Sequence, residues 1–225
     1  MSTLTTLDFI ALGVFAASWM LYYLFVEYSP YGRRSLNAAM HEFRLLWMRR
    51  LMERENRILD GQLMIGLQNG TAFFASSAFL AIGGALSVLG FADAALEVFS
   101  ALPFSTTTSR ATFEIKVLGL AIMFAYSFFK FVWSYRLFNY VSILIGAMPP
   151  ADCKDRSEAE RAIERAGRMH VAAGRHFNRG LRAYFFALAY LGWFGGPIAL
   201  IVTTLVVAVV LWRRQFASDF LSAVT

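Results

Sequence analysis

Cysteine is what this chain most nearly lacks. A single one, Cys153, in 225 residues excludes an intrachain disulfide and any metal or cluster site built from several thiolates of one chain. Charge is scarce as well. Only 16% of the residues are Asp, Glu, Lys or Arg, against roughly a quarter in soluble domains. With 58% hydrophobic residues and 22 phenylalanines, that shortfall excludes an ordinary soluble globule. Histidine is confined to His41, His170 and His176, outside the apolar runs and without an HExxH, a CxxC or a paired carboxylate. No catalytic, cofactor or metal motif is present. His170 and His176, six apart, point to different sides of one helix, and a haem or metal site assembled across helices stays open as the alternative. Ser18, Ser76, Ser77, Ser127 and Ser134 occupy apolar runs with no acid or histidine at span depth. An intramembrane hydrolase or transferase would lack its base.

Long apolar runs are what the chain does have. A helix needs about 20 apolar residues to cross a ~30 Å hydrocarbon core, and four segments satisfy this: Leu4 to Val26, Leu63 to Leu89, Val117 to Met148 and Leu181 to Trp212. The expected fold class is therefore an all-α, four-transmembrane-helix membrane protein in one domain. No Lys or Arg precedes the first run, which reads as a retained helix rather than a removable leader.

The net charge of +6 is placed where it favours a membrane over nucleic acid. Arg33, Arg34, Arg44, Arg49, Arg50, Arg54 and Arg57 lie between runs one and two, and Lys154, Arg156, Arg161, Arg165, Arg168, Arg175, Arg179 and Arg182 between runs three and four. The positive-inside bias puts both connections in the cytoplasm of a bacterial inner membrane, with both termini outside. Arg213 and Arg214, just past the fourth run, count against that assignment.

Each cytoplasmic connection carries an amphipathic helix, about 36–60 and 156–180. Ala159, Ala162, Ala166, Met169, Ala173 and Phe177 form a small-residue seam on the second, suited to packing against the first. The outer connection reads as a short amphipathic piece from Ala94 to Leu102, stopped by Pro103. Gly66 and Gly70 make a GxxxG pair, with Ser76, Ser77, Gly83 and Gly84 beyond it, which favours close helix association and a homo-oligomer or membrane-complex partner. GWFGGP, ending at Pro197, predicts a kink within the fourth span.

The order of NAAMHEFRLLWMRR, NRILDGQ, FFASSAF, FFKFVWSYRLFNYVSILIGA and NRGLRAYFFALAYLGWFGGPIAL resembles the bacterial and plant multi-pass membrane proteins grouped as domain of unknown function 599. The resemblance runs from about residue 8 to residue 216. It implies a four-span membrane protein and carries over no reaction, ligand or catalytic residue.

Two cations in the third run, Lys130 and Arg136, require an account, because charge at membrane depth is costly. Arg136, with Trp133, Tyr135 and Tyr140, reads as an inner-interface anchor. Lys130 falls nearer mid-depth on the side of Tyr126, Ser127 and Ser134. Two functions follow. One is an oligomeric channel or transporter for a small solute or ion, lined by Lys130, Ser127, Ser134, Gln68 and Asn69. The other is a structural or regulatory subunit whose Arg-rich cytoplasmic face, with Arg49, Arg50, Arg57, Arg136 and Trp133 as contacts, binds a partner protein or anionic membrane lipid. Neither calls for a cofactor, a metal or nucleic acid.

Overall fold

The computed structural model describes residues 4–100 and 109–217, and among these every regular element is helical. The elements are α1 (Thr6–Tyr28), α2 (Leu36–Met52), α3 (Ile58–Gly90), α4 (Ala92–Ser100), α5 (Arg110–Gly146), α6 (Arg156–Tyr190) and α7 (Pro197–Phe216), with 3-10 turns at Pro30–Arg34 and Leu191–Gly195. Local chemistry sets the starts. Thr5 and Asp8 form a reciprocal capping box on α1, and Ser35, Ser109 and Asp155 cap α2, α5 and α6, each satisfying amides that have no partner within the helix. α4 covers the expected short outer helix; Pro103, its expected stop, lies outside the described residues.

Helix length organises the molecule into two storeys. α3, α5 and α6 have 33, 37 and 35 residues, or roughly 50–55 Å each. α1 and α7 have 23 and 20, close to the ~30 Å of a hydrocarbon core. The upper storey packs α1 and α7 with the adjoining ends of α3, α5 and α6. The lower storey packs α2, which continues below α1, against the remaining lengths of α3, α5 and α6. Its core is Met48, Leu51, Met64, Phe138 and Val141 against Ala162, Ala166 and Ala173. The alanine seam of α6 therefore faces α2, as its spacing predicts, and α5 and α3 complete a four-helix bundle.

α6 runs antiparallel to α5 for its whole length. Tyr190 lies against Gly119, Phe131 against Gly180, and Ser134 donates to the carbonyl of Ala173 at 2.8 Å. Gly180 makes the approach possible: a Cβ there would come within 2.7 Å of the Phe131 ring. α3 is antiparallel to α5 on its other side, with Phe74 stacked on Phe131 and Gln68 bonded to Ser142.

Four helices are long and apolar enough to cross a membrane: α1, α3, α5 and α7. The first three agree with the expected spans. The fourth does not have the expected form. The run from Leu181 to Trp212 is not one kinked span but a hairpin: residues 181–190 end α6, and Pro197–Phe216 return antiparallel as α7. Thr203 Oγ1 donates to the carbonyl of Ala189 at 2.7 Å, while Arg182 and Leu211 share a cavity wall at the other end of the pair. Gly196, at φ 110, takes the left-handed conformation that only glycine adopts without strain, and Pro197 opens α7 at the first helical position, where a missing N–H costs nothing. A Gly-Pro pair that suits a kink equally suits this reversal.

The reversal also sets where the described ends of the chain lie within the fold. α1 and α7 are parallel neighbours, since Asp8 and Trp193 meet at one end and the Tyr22 hydroxyl donates to the Leu211 carbonyl near the other. Residues 4 and 217 thus lie at opposite ends of the upper storey, and Arg213 and Arg214 join the end that carries α2. The expected first cytoplasmic helix, 36–60, stops at Met52, and Ile58 already begins α3.

Topology can be read by thiol labelling in a Cys153→Ser background. Ala94→Cys, exposed on α4, and Ala217→Cys, at the end of α7, should react with an impermeant maleimide from opposite faces of sealed vesicles; labelling from one face would refute the hairpin.

Candidate functional site

Polar groups concentrate at the two ends of the upper storey. At the end bearing α4, Trp193 Nε1 donates to Asp8 Oδ1 at 2.7 Å, and Lys116 Nζ donates to the Trp193 carbonyl at 2.8 Å while lying 5.2 Å from the same indole. Lys116 is 3% exposed, so this cluster serves as a buried latch, holding the Leu191–Gly195 turn against α1 and α5.

The opposite end is richer. Glu27, at the last turn of α1, receives Arg179 at 2.8 Å and Arg182 at 2.5 Å. The two arginines stand one turn apart on α6, so both reach one carboxylate, and both guanidinium groups lie within 6 Å of the Tyr23 ring, where the ring face attracts cations. Arg44 of α2 enters beside them, packed against Gly174 so closely that a Cβ there would lie 2.6 Å from its Cζ. Arg175 and His41 line a cavity of about 430 Å³ with Glu27. The side-chain nitrogens Arg44 Nη1, Arg182 Nη1 and His41 Nε2 are buried without a hydrogen-bond partner. Among the described residues, Glu27 is the single acid lining this cavity or its smaller neighbour.

His41 is held down to about 4 by burial and then by the charges of Arg44 and Arg175. His170, buried between Trp47 and Phe138 in the lower storey, is pushed down to about 3 by burial and then by Arg44. Both rings are neutral at pH 7, and among the described residues no group of three metal-binding side chains occurs.

The residues expected to line a path are not brought together. Lys130 lies roughly 21 Å along α5 from Lys116, near the boundary between the storeys. It sits 5.1 Å from the Tyr126 ring, and its charge reaches His176. Ser127 and Ser134 are fully buried toward α6. Gln68 bonds Ser142 at 3.0 Å in the lower storey, and Asn69 is exposed.

Among the expected lipid or partner contacts, Arg49 is exposed and Arg50 pairs with Glu53 on the surface. Arg57 instead clips the end of α5, donating to the carbonyls of Met148 and Pro149 at 3.1 and 2.6 Å. Arg136 bonds Tyr140 at 2.7 Å, and Trp133 is exposed. A second clamp was not foreseen: Asp60, fully buried, accepts from Trp47 Nε1 and Arg54, both at 2.6 Å, tying α2 to α3. In the sequence Glu27 and Asp8 are simply acids near the two ends of the first run. Their partners lie more than a hundred positions away.

Glu27→Gln removes the negative member of a largely buried triad, and loss of about 3 kcal/mol is expected, read as a lower denaturation midpoint in detergent. Arg182→Gln should cost more than Arg179→Gln, because their side chains are 8% and 26% exposed; equal, small effects would mean the triad is solvated. The depressed histidines fix a pH dependence. The unfolded chain takes up protons below about pH 6.5 while the folded chain does not. Stability is full above that value and falls as pH drops toward 4, and His170→Leu should flatten the fall.

No curated protein and no solved structure matches the chain. A family model described as protein of unknown function, DUF599, matches residues 10–220, and the chain, a helical protein with four apolar membrane-length helices, belongs to that family.

Proposed function

We propose that this chain is a structural or regulatory subunit of the bacterial inner membrane, that it assembles with copies of itself through α3, and that it turns a basic lower storey toward the cytoplasm. The observation that carries the reading is the unused face of α3. Gly66, Gly70, Gly83 and Gly84 would each meet nothing within 4 Å if they bore a Cβ. A helix-interior glycine costs roughly 1 kcal/mol relative to alanine, and no neighbour within the protomer exploits the room these leave. Helices in membranes use such room to approach one another.

Asn69 and Ser76 lie on the same face and are exposed, available for hydrogen bonds across a helix pair. The apolar character of this face also continues into the lower storey, where Ile58, Leu59 and Leu63 are 71%, 63% and 48% exposed. On the far side of the molecule, the surface has already turned polar at Glu27, Arg179 and Arg214. A second copy seated on α3 covers apolar surface that would otherwise meet water.

The reading as a channel or transporter draws less support. It asks Lys130, Gln68 and Asn69 to line one path, and they occupy different levels and faces.

Gly70→Leu tests the proposal without disturbing the protomer, because its side chain would enter open space. Self-association measured by energy transfer in liposomes should weaken roughly tenfold or more, with the melting temperature of the detergent-dispersed protomer unchanged. A chain that stays monomeric in every lipid composition would overturn it.

A further inference from the structure

We infer that the crevice where α1, the Pro30–Arg34 turn, α2 and α6 meet is a binding site for a phosphate group. Two cavities adjoin there, sharing Asn37 and Asn178, whose side chains are bonded to each other at 2.9 Å. The wider, of about 430 Å³, is walled by Glu27, Ser29, Ser35, His41 and Arg175. The narrower, of about 80 Å³, has Arg182, Arg214 and Gln215 at its polar side and Leu181, Phe185 and Leu211 as apolar walls.

Charge and hydrogen-bonding capacity both favour an anion. Glu27, the one acid lining either cavity among the described residues, already holds two guanidinium groups. Arg175 and Arg214 make no ion pair among the described residues. Arg182 Nη1 and Gln215 Nε2, both on the wall of the narrower cavity, are buried donors without an acceptor, and the Arg182 side chain is only 8% exposed. Burying donors unsatisfied is unfavourable, and a ligand that brings acceptors and negative charge removes the deficit. Donors approach from α6 (Arg175, Arg182) and from α7 (Arg214, Gln215), and a tetrahedral phosphate accepts from both directions, whereas a planar carboxylate presents two oxygens. Exposed Tyr28, Tyr31 and Trp212 surround this level, the aromatic setting of a membrane interface, where phospholipid phosphates lie. The apolar walls of the narrower cavity suit the start of an acyl chain.

The site does not rest on self-association through α3, and sizing the same samples keeps the two questions apart. Binding of the full chain to phosphatidylglycerol and to phosphatidylcholine vesicles is compared with the effect of inorganic phosphate on melting in detergent. The test variant is Arg175→Gln with Arg214→Gln; both positions are exposed, so its melting temperature without ligand should match the parent. Arg49→Gln with Arg50→Gln is the control, an equal charge change roughly 18 Å further along α2 from Asn37 and beyond screening range.

Phosphatidylglycerol-selective binding that falls roughly tenfold or more in the test variant, and not in the control, supports a lipid phosphate. Stabilisation by inorganic phosphate, lost only in the test variant, supports a soluble one. Absence of both effects, or equal loss in the two variants, overturns the site.

Discussion

The structure depends on α6 meeting water at one end and hydrocarbon at the other while packing against a neighbour on almost every side. Its 35 residues carry arginines along the first two-thirds and aromatics along the last third, so the helix crosses from the lower storey into the upper without a break. Small residues make this crowding possible. Alanines admit α2 and α5 in the lower storey, Gly174 admits the Arg44 guanidinium, and Gly180 admits Phe131. Larger side chains there would push apart the helices that carry the polar clusters.

Two polar locks then hold the upper storey at its ends. The Asp8–Trp193–Lys116 cluster fixes the chain reversal between α6 and α7. The Glu27–Arg179–Arg182 triad fixes α1 to α6 one storey-height away. Between them the contact is aromatic: Phe15 meets Phe186 and Tyr190 edge-on, and Trp19 stacks on Phe186 at 5.7 Å. Charge is gathered at the two ends of the upper storey, where even buried ions such as Lys116 and Arg182 find hydrogen-bond partners, and is kept out of the aromatic stretch between them, as the cost of burying an unpaired ion demands. The same economy leaves an excess of guanidinium donors at the basic end, which is the source of the proposed phosphate site.

Parts of this arrangement were legible in residue order. The alanine seam of α6 could be assigned to packing because its spacing keeps one face small. Lys130 was harder. Its depth depends on where α5 begins relative to its neighbours, and hydropathy alone could not show that Arg110 to Lys116 already belong to the upper storey. Arg57 illustrates a different limit. Its charge suggested a lipid or partner contact, but its hydrogen bonds go to backbone carbonyls at positions 148 and 149, and no local pattern signals so distant an acceptor.

The sequence by itself determined an all-helical membrane protein, three of its spans, the amphipathic character of its lower helices and the clustering of arginine toward one side. These follow from composition and periodicity, which act locally along the chain. Tertiary structure alone decided that residues 181–212 reverse rather than continue, that the described chain ends lie at opposite ends of the upper storey, and that Glu27 gathers Arg179 and Arg182 beside Arg44 and His41. A Gly-Pro break serves a kink or a turn equally well. What selects the turn is Trp193, held by Asp8 from the start of the chain and by Lys116 from its middle, and those contacts exist only after distant helices pack.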